Sequence, residues 1–251
     1  ELGQAFNDMS HNLQETFASL DESEQEKSMM IAQLSHDIKT PITSIQATVE
    51  GILDGVIKEE EQVHYLTTIG RQTERLNKLV EELDVLTLNA QPRTDSDNEA
   101  EIIFLDQLLI EAMSEFQLLI EQEERDIYIQ VSPESAKMKS HYDKLSRILV
   151  NLLNNAFKYS DPGTKVEVVA QLTEQDLTIS VKDEGQGIAP GDLDKIFKRL
   201  YRVETSRNMK TGGHGLGLAI AQELAHQLGG EITVESQYGL GSTFTVRLNL
   251  K

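Results

Sequence analysis

The sequence predicts a multidomain chain: an all-α antiparallel helical hairpin that pairs with a second copy into a dimeric four-helix bundle, followed by an α+β sandwich. Three observations carry this. Apolar residues recur at three- and four-residue steps through most of the first ninety positions, an aperiodic stretch follows, and beyond it short strand patterns interleave with amphipathic helices.

The first apolar stripe runs Leu34, Ile38, Ile42, Ile45, Val49, Ile52 and Val56. After the charged connection "DGVIKEEEQ", a second runs Leu66, Ile69, Thr73, Leu76, Val80 and Leu83. Each is a heptad-like seam on one helix face. A lone hairpin leaves half of each stripe in water, so a homodimer is expected. Glu59, Glu60 and Glu61 read as a solvated helix end.

At about 100° per residue, His36 in "SHDIKTPI" lies away from the seam. Thr40, one turn on, shares its face, whereas Asp37 is rotated away from both. Pro41 cannot donate to the Asp37 carbonyl, so a kink is expected beside this polar cluster. His11, His64, His141 and His226 read as ordinary surface histidines.

"AQPRTDSDNEAE" marks a linker, placed at 91–101, between the hairpin at 28–90 and a second domain at 102–251. There "EIIFL" and "DIYIQV" read as strands around a helix from Leu105 to Glu121, and a strong helix spans Tyr142–Tyr159. "KVEVVAQL", "DLTISVKD", "EITVES" and "STFTVRL" read as strands, with a further helix from about Gly215 to Leu228. The expected sheet is mostly antiparallel, with helices on one face.

Composition excludes several functions. Lys plus Arg number 23 against 42 Asp plus Glu, a formal charge of -19, which disfavours a nucleic acid partner or an anionic membrane surface. The absence of cysteine removes disulfides and thiolate metal sites. No apolar run approaches the roughly 20 residues of a membrane span, and the first residues lack a signal peptide's apolar core. The chain reads as soluble and, starting in mid-pattern, as the cytoplasmic piece of something longer.

The chemistry lies in the second domain. On the Tyr142–Tyr159 helix, Asn151, Asn155, Lys158 and Tyr159 share one face. Asparagine is a poor helix-interior residue, so two on one face point either to a ligand or to a polar face packed on a loop. A side-chain carbonyl suits Mg²⁺ carrying a triphosphate, and Lys158 can meet a phosphate. "VKDEGQGI" ends a strand at Asp183 and sets Gly185 and Gly187 where a flat ring could approach the backbone. A carboxylate there accepts from the adenine amino group and repels the guanine carbonyl. "GGHGLGLAI" brings Gly212, Gly213, Gly215 and Gly217 to a helix start, which suits phosphate. Neither a Walker sequence nor the GxGxxG spacing is present, so the glycines belong to another nucleotide fold.

In order, "SHDIKTPITSI", "NLLNNAFKYS", "DEGQGI", "IFKRLYRVE", "GGHGLGLAI" and "GLGSTF" resemble the transmitter region of bacterial sensor histidine kinases of two-component systems, a dimerisation and phosphotransfer hairpin followed by a GHKL-type ATP-binding domain. Residues 1–27 look like the end of a HAMP linker helix, which in this family joins a membrane-spanning sensor to the transmitter. The resemblance implies that His36 is the phosphoacceptor, Asp37 the acid assisting transfer, and Thr40 the residue orienting water in the reverse, phosphatase role. It implies Asn155 as the Mg²⁺ ligand, Asn151, Lys158 and Tyr159 as further ATP contacts, and Asp183 as the adenine contact. Phe197 and Arg202 fall in the box that opens the ATP lid, and Gly213, Gly215, Leu216 and Gly217 in the one that closes it. Three residues depart from the usual pattern: His214 stands in place of threonine, Leu200 of phenylalanine and Lys39 of arginine. His214 could make lid contacts pH-sensitive.

The implied activity is autophosphorylation of His36 from Mg-ATP and transfer to an aspartate of a response regulator receiver domain docked low on the hairpin. Two rivals differ in class: a GHKL clamp ATPase that does not phosphorylate itself, opposed by the hairpin with His36, and a non-catalytic scaffold, opposed by the intact Asn155, Asp183 and glycine boxes.

Overall fold

The computed structural model describes residues 2–87, 100–203 and 215–250, in two compact units that divide between Glu81 and Glu82. Most of the predicted linker, residues 91–99, lies outside the described residues.

In the first unit, helix α1 spans Leu2–Leu53 and α2 spans Glu59–Thr87. α1 continues as helix through Pro41. The proline removes the N–H that would have met the Asp37 carbonyl but does not end the helix. The turn closes through Ile57 N–H donating to the Gly51 carbonyl at 2.9 Å, with Gly55 at φ 70. Glu59, Glu60 and Glu61 form the first turn of α2, where the helix dipole favours acids.

The hairpin covers about half of each expected stripe and leaves the other half outside, as a lone hairpin should. The covered positions of α2 are Gln62, Tyr65, Thr68, Ile69, Gln72, Leu76 and Leu79, while Leu66, Thr73 and Val80 are exposed. On α1, Leu34, Ile38, Ile45 and Ile52 are covered together with Asp37, Pro41, Ser44, Thr48 and Gly51, whereas Ile42 and Val49, and Val56 in the connection to α2, stand in solvent. Sequence periodicity merged two adjacent stripes. One is covered within the chain through many small or polar residues, and the other carries large apolar groups at seven-residue steps on the outside.

The second unit comprises β1 (Glu101–Phe104), α3 (Leu105–Ser114), α4 (Gln117–Gln122), β2 (Asp126–Ser132), β3 (Lys137–Ser140), α5 (Tyr142–Tyr159), β4 (Lys165–Leu172), β5 (Asp176–Asp183), α6 (Gly217–Gln227), β6 (Gly230–Gln237) and β7 (Gly241–Asn249). The five-stranded sheet runs β2-β4-β5-β7-β6, antiparallel except for the parallel pair β2–β4, and β1 and β3 form a separate antiparallel ribbon. Alternate residues build the core: Val166, Val168 and Ala170 of β4, Leu177, Ile179 and Val181 of β5, and Phe244, Val246 and Leu248 of β7. Leu108, Leu109 and Met113 of α3, Leu145, Leu149 and Leu152 of α5, and Ile220 and Leu224 of α6 are buried with them. This is the expected α+β layer, with a mixed sheet.

Three local readings change. The helix expected over Leu105–Glu121 breaks at Glu115 and Phe116, where the Phe116 ring stacks on Phe157 at 4.9 Å. β3 was not expected, because "KMKS" is too short and too basic to show apolar alternation. Glu101, assigned to the linker, opens β1 opposite Ser140.

Arg125, at the start of β2, had no signal in the sequence. Its side chain is 1% exposed, pairs with Glu123 at 2.7 Å, and donates to the carbonyls of Phe157 (3.0 Å) and Ser160 (2.9 Å) and to the hydroxyls of Ser160 and Thr164. It thereby clamps the C-terminal end of α5. Arg125→Ala strands these acceptors, and we expect a stability loss of about 3–5 kcal/mol, measured by urea unfolding followed by circular dichroism. A loss below about 1 kcal/mol would show the network to be replaceable by water.

Candidate functional site

The second unit brings most of the predicted residues to one end of its sheet. Along α5, Asn151, Asn155 and Tyr159 follow at four-residue steps, and both ends of the row are held. Asn151 donates its amide to the Arg147 carbonyl at 2.9 Å, and a Cβ at Gly217 would lie 2.9 Å from the Asn151 Oδ1. α6 can therefore begin against α5 because position 217 carries no side chain. At the other end the Tyr159 carbonyl accepts from Gln186 N–H at 3.0 Å, and any Cβ at Gly185 would collide with that carbonyl. Asn155 lies between the two junctions, half-buried, and its amide makes no hydrogen bond among the described residues. Lys158 lays its Nζ 4.9 Å from the Tyr159 ring centre.

Asp183 ends β5 in phase with the buried Leu177, Ile179 and Val181 and is 4% exposed. Gly185 N–H donates to its Oδ1 at 2.8 Å, and the Ser242 N–H also reaches the carboxylate. Burial pushes the carboxyl above the ordinary aspartate range, and these two donors partly offset that. The result is a buried acceptor at the mouth of a loop whose Gly187 has φ 66.

Leu200 and Gly215 join across the segment between them. Leu200, itself at φ 63, donates its N–H to the Gly215 carbonyl at 2.9 Å. Phe197 packs edge-on against Phe244, ring centres 6.5 Å apart, Arg202 is half-buried, and Leu216 is buried at the N-cap of α6. Gly213 and His214 lie outside the described residues.

Among the described residues no three His, Cys, Asp or Glu side chains gather into a cation site. A divalent ion here would depend on the Asn155 carbonyl oxygen together with phosphate oxygens and water. Mg²⁺ tolerates that arrangement, since it keeps several waters and takes few protein ligands.

In the first unit the His36 side chain is 76% exposed, and its Nδ1 lies 3.3 Å from Asp37 Oδ1. This corrects the expectation from straight-helix geometry. The two Cβ atoms do diverge, but both side chains are long enough to bend together. Gln33 Nε2 lies 3.3 Å from each Asp37 oxygen and steadies the carboxylate. Thr40 Oγ1 donates to the His36 carbonyl at 3.0 Å, leaving its lone pairs to accept from water.

Sequence reading missed how the β6–β7 turn braces the Asp183 loop. Ser236 accepts from Ile188 N–H at 2.8 Å, and Gly239 N–H donates to the Gln186 carbonyl at 2.7 Å. The register that puts Ser236 opposite Ser242 and Ser242 opposite Asp183 is supplied only by the folded sheet.

Residues 26–90 match the His Kinase A (phospho-acceptor) domain, and residues 140–251 match the Histidine kinase-, DNA gyrase B-, and HSP90-like ATPase family. Across both regions, the histidine protein kinase SaeS of Staphylococcus epidermidis is 38% identical over 252 residues, 99% of this chain and 70% of that protein. The chain belongs to the histidine protein kinase family. SaeS of Staphylococcus aureus is 37% identical over 253 residues, 99% of this chain and 71% of that protein. Among solved structures, Acinetobacter baumannii histidine kinase AdeS shares 28% identity at a TM-score of 0.68, covering 86% of this chain and 98% of its own. Histidine kinase ThkA, solved in complex with response regulator protein TrrA, shares the fold at a TM-score of 0.65 and 20% identity, over 89% of this chain and 61% of its own. The kinase is thus an ATP-dependent protein-histidine kinase of two-component signalling, a hairpin followed by an ATPase-type α/β unit, and phosphotransfer to a response regulator is the function of its family. Among the described residues no helix is long and apolar enough to cross a membrane.

Proposed function

We propose that His36 is the phosphoacceptor of this kinase and that ATP is held by Asn151, Asn155, Lys158, Tyr159, Asp183 and the starts of the loops that follow. The observation that carries the reading is the exposed imidazole with its Nδ1 3.3 Å from Asp37. With the Nδ1–H donated to Asp37, the Nε2 lone pair points outward as the nucleophile. The new bond joins Nε2 to the γ-phosphorus, the bond from that phosphorus to the bridging oxygen breaks, and ADP leaves. Asp37 stabilises the positive ring as it forms. A bound Mg²⁺ would neutralise charge on the phosphate oxygens, with Asn155 supplying the protein's oxygen ligand.

The phosphoryl group then passes to an aspartate of a response regulator receiver domain. The outward stripe of Ile42, Val49, Val56, Leu66 and Val80 supports a homodimeric four-helix bundle, since a second copy would cover it. The continuous helix ahead of His36 supports residues 1–27 as the end of a HAMP-type signalling helix, and the matched regions support 28–90 as the phosphotransfer hairpin and 102–251 as the catalytic domain. Gly213 and His214 are assigned to the closing edge of the ATP lid with Gly215, Leu216 and Gly217, and Phe197 and Arg202 to its opening edge. The chain is assigned to the cytoplasmic part of a membrane receptor, as its resemblance to HAMP-linked sensor kinases implies.

The test is incubation with γ-labelled ATP and Mg²⁺. Label that survives base and is lost in acid is the signature of a phosphorus–nitrogen bond, and its absence would refute the assignment.

The reverse activity assigns Thr40. Its hydroxyl hydrogen is already committed to the His36 carbonyl, so its oxygen can orient a water for attack on the regulator's phosphoaspartate. In Thr40→Ala, autophosphorylation is expected to stay within about twofold, while dephosphorylation of the purified phosphoregulator with ADP and Mg²⁺ slows by about tenfold or more. Equal dephosphorylation rates would leave Thr40 a structural role only.

A further inference from the structure

We infer that Ser236 is a positioning residue for the adenine end of the nucleotide site, an inference that rests on the assignment of Asp183 to the base. Asp183, Ser242 and Ser236 stand side by side across β5, β7 and β6. The loop that leaves Asp183 is tied to this row at both ends. At its start, the Asp183 carboxylate takes the N–H groups of Gly185 and Ser242. At its end, Ser236 Oγ accepts the Ile188 N–H at 2.8 Å, with its own hydrogen directed to the Gly241 carbonyl at 2.9 Å or the Ser242 hydroxyl at 3.1 Å.

The consequence is selective. The loop between the two ties packs Gly185 against the Tyr159 carbonyl and Gly187 against the Gln237 carbonyl, and it borders the Asp183 carboxylate assigned to the base, whereas the phosphates are assigned to the start of α6 and the polar face of α5. A hydroxyl that fixes the loop end governs the base and leaves the phosphates alone. Gln186, mid-loop, stays held by the Tyr159 carbonyl and the Gly239 N–H, so loss of the Ile188 bond loosens the far end of the loop rather than all of it.

The experiment compares ATP and GTP binding to the full chain by calorimetry for wild type, Ser236→Ala, Ser236→Thr and Asp183→Asn. In Ser236→Ala the preference for ATP over GTP is expected to fall by about fivefold. Ser236→Thr, which keeps the hydroxyl, should stay within about twofold of wild type. An unchanged preference in Ser236→Ala, or equal losses in the alanine and threonine variants, would overturn the inference. If Asp183→Asn weakens ATP binding while Ser236→Ala does not, the role of Ser236 alone fails. If Asp183→Asn leaves ATP binding intact, the adenine assignment fails and takes this inference with it. Amide exchange on the wild-type protein gives a measurement independent of any variant's folding: slow exchange at Ile188 is expected, and exchange as fast as in an open loop would also overturn the inference.

Discussion

His36→Ala is expected to reduce acid-labile, base-stable labelling from γ-labelled ATP to background, a loss on the order of a thousandfold or more, with ATP affinity unchanged. The size follows from chemistry. Alanine has no atom able to form a bond to phosphorus, and no second histidine in the described part of the hairpin has a carboxylate at the same reach: His64 instead packs against the Tyr65 ring at 5.6 Å. Asp37→Asn separates orientation from nucleophilicity. Its amide can still face Nδ1 but no longer offsets the charge on the ring, and the expected loss is about a hundredfold. Wild-type labelling in His36→Ala would move the phosphoacceptor elsewhere in the chain.

Asn155→Asp is expected to abolish labelling and weaken Mg-ATP binding by about a hundredfold, because the change alters both the charge and the character of the oxygen proposed to face the triphosphate. Asp183→Asn acts on the other end of the nucleotide and is expected to cost about tenfold in affinity. Both changes lie in the second unit, so the mass measured by light scattering should stay that of the wild type. Acid supplies an internal control. The Asp183 carboxyl titrates above the ordinary range, so protonation replaces a charged acceptor by a neutral one at a pH where exposed aspartates stay ionised. The difference in ATP affinity between wild type and Asp183→Asn should therefore shrink as pH falls through that raised value. The same sign applies to folding: ionisation of this buried carboxyl opposes the native state, so its contribution to stability is present at low pH and lost as pH rises. Asp183→Asn should accordingly not lower the melting temperature at neutral pH. Unchanged ATP affinity in both variants would refute the assigned pocket.

The residues that reason well from sequence are those whose own chemistry is unusual for their position. Asn151 and Asn155 stand out on a helix, Asp183 at the end of an apolar strand, and His36 in a polar cluster that runs up to Pro41 inside a heptad pattern. The helical hairpin, the Tyr142–Tyr159 helix and the strands β4, β5, β6 and β7 were legible because period alone separates them. Asp37 was not, since backbone geometry fixes where a Cβ starts and side-chain flexibility decides where the carboxylate arrives. Which half of the hairpin stripe is covered was not legible, because small residues such as Ser44 and Gly51 can be covered without any hydrophobic signal. Arg125 and Ser236 were invisible for a third reason. An arginine or serine at the edge of a strand looks like surface, and only the tertiary fold supplies the carbonyls of Phe157 and Ser160 or the amide of Ile188.

The parallel pairing of β2 with β4 bears on the order in which the second unit assembles. β4 and β5 are joined by a short turn and can zip together within microseconds, whereas β2 meets β4 only after the chain has run through β3 and the whole of α5. β2 is therefore the strand whose docking carries a long closure to complete, and Arg125 sits at its first contact with α5. Native-state exchange should find the β2 amides opening before those of β5 and β7, and Arg125→Ala should speed β2 opening far more than that of the central strands. The end of α5 that carries Lys158 and Tyr159 would then loosen together with an edge strand to which no nucleotide contact is assigned.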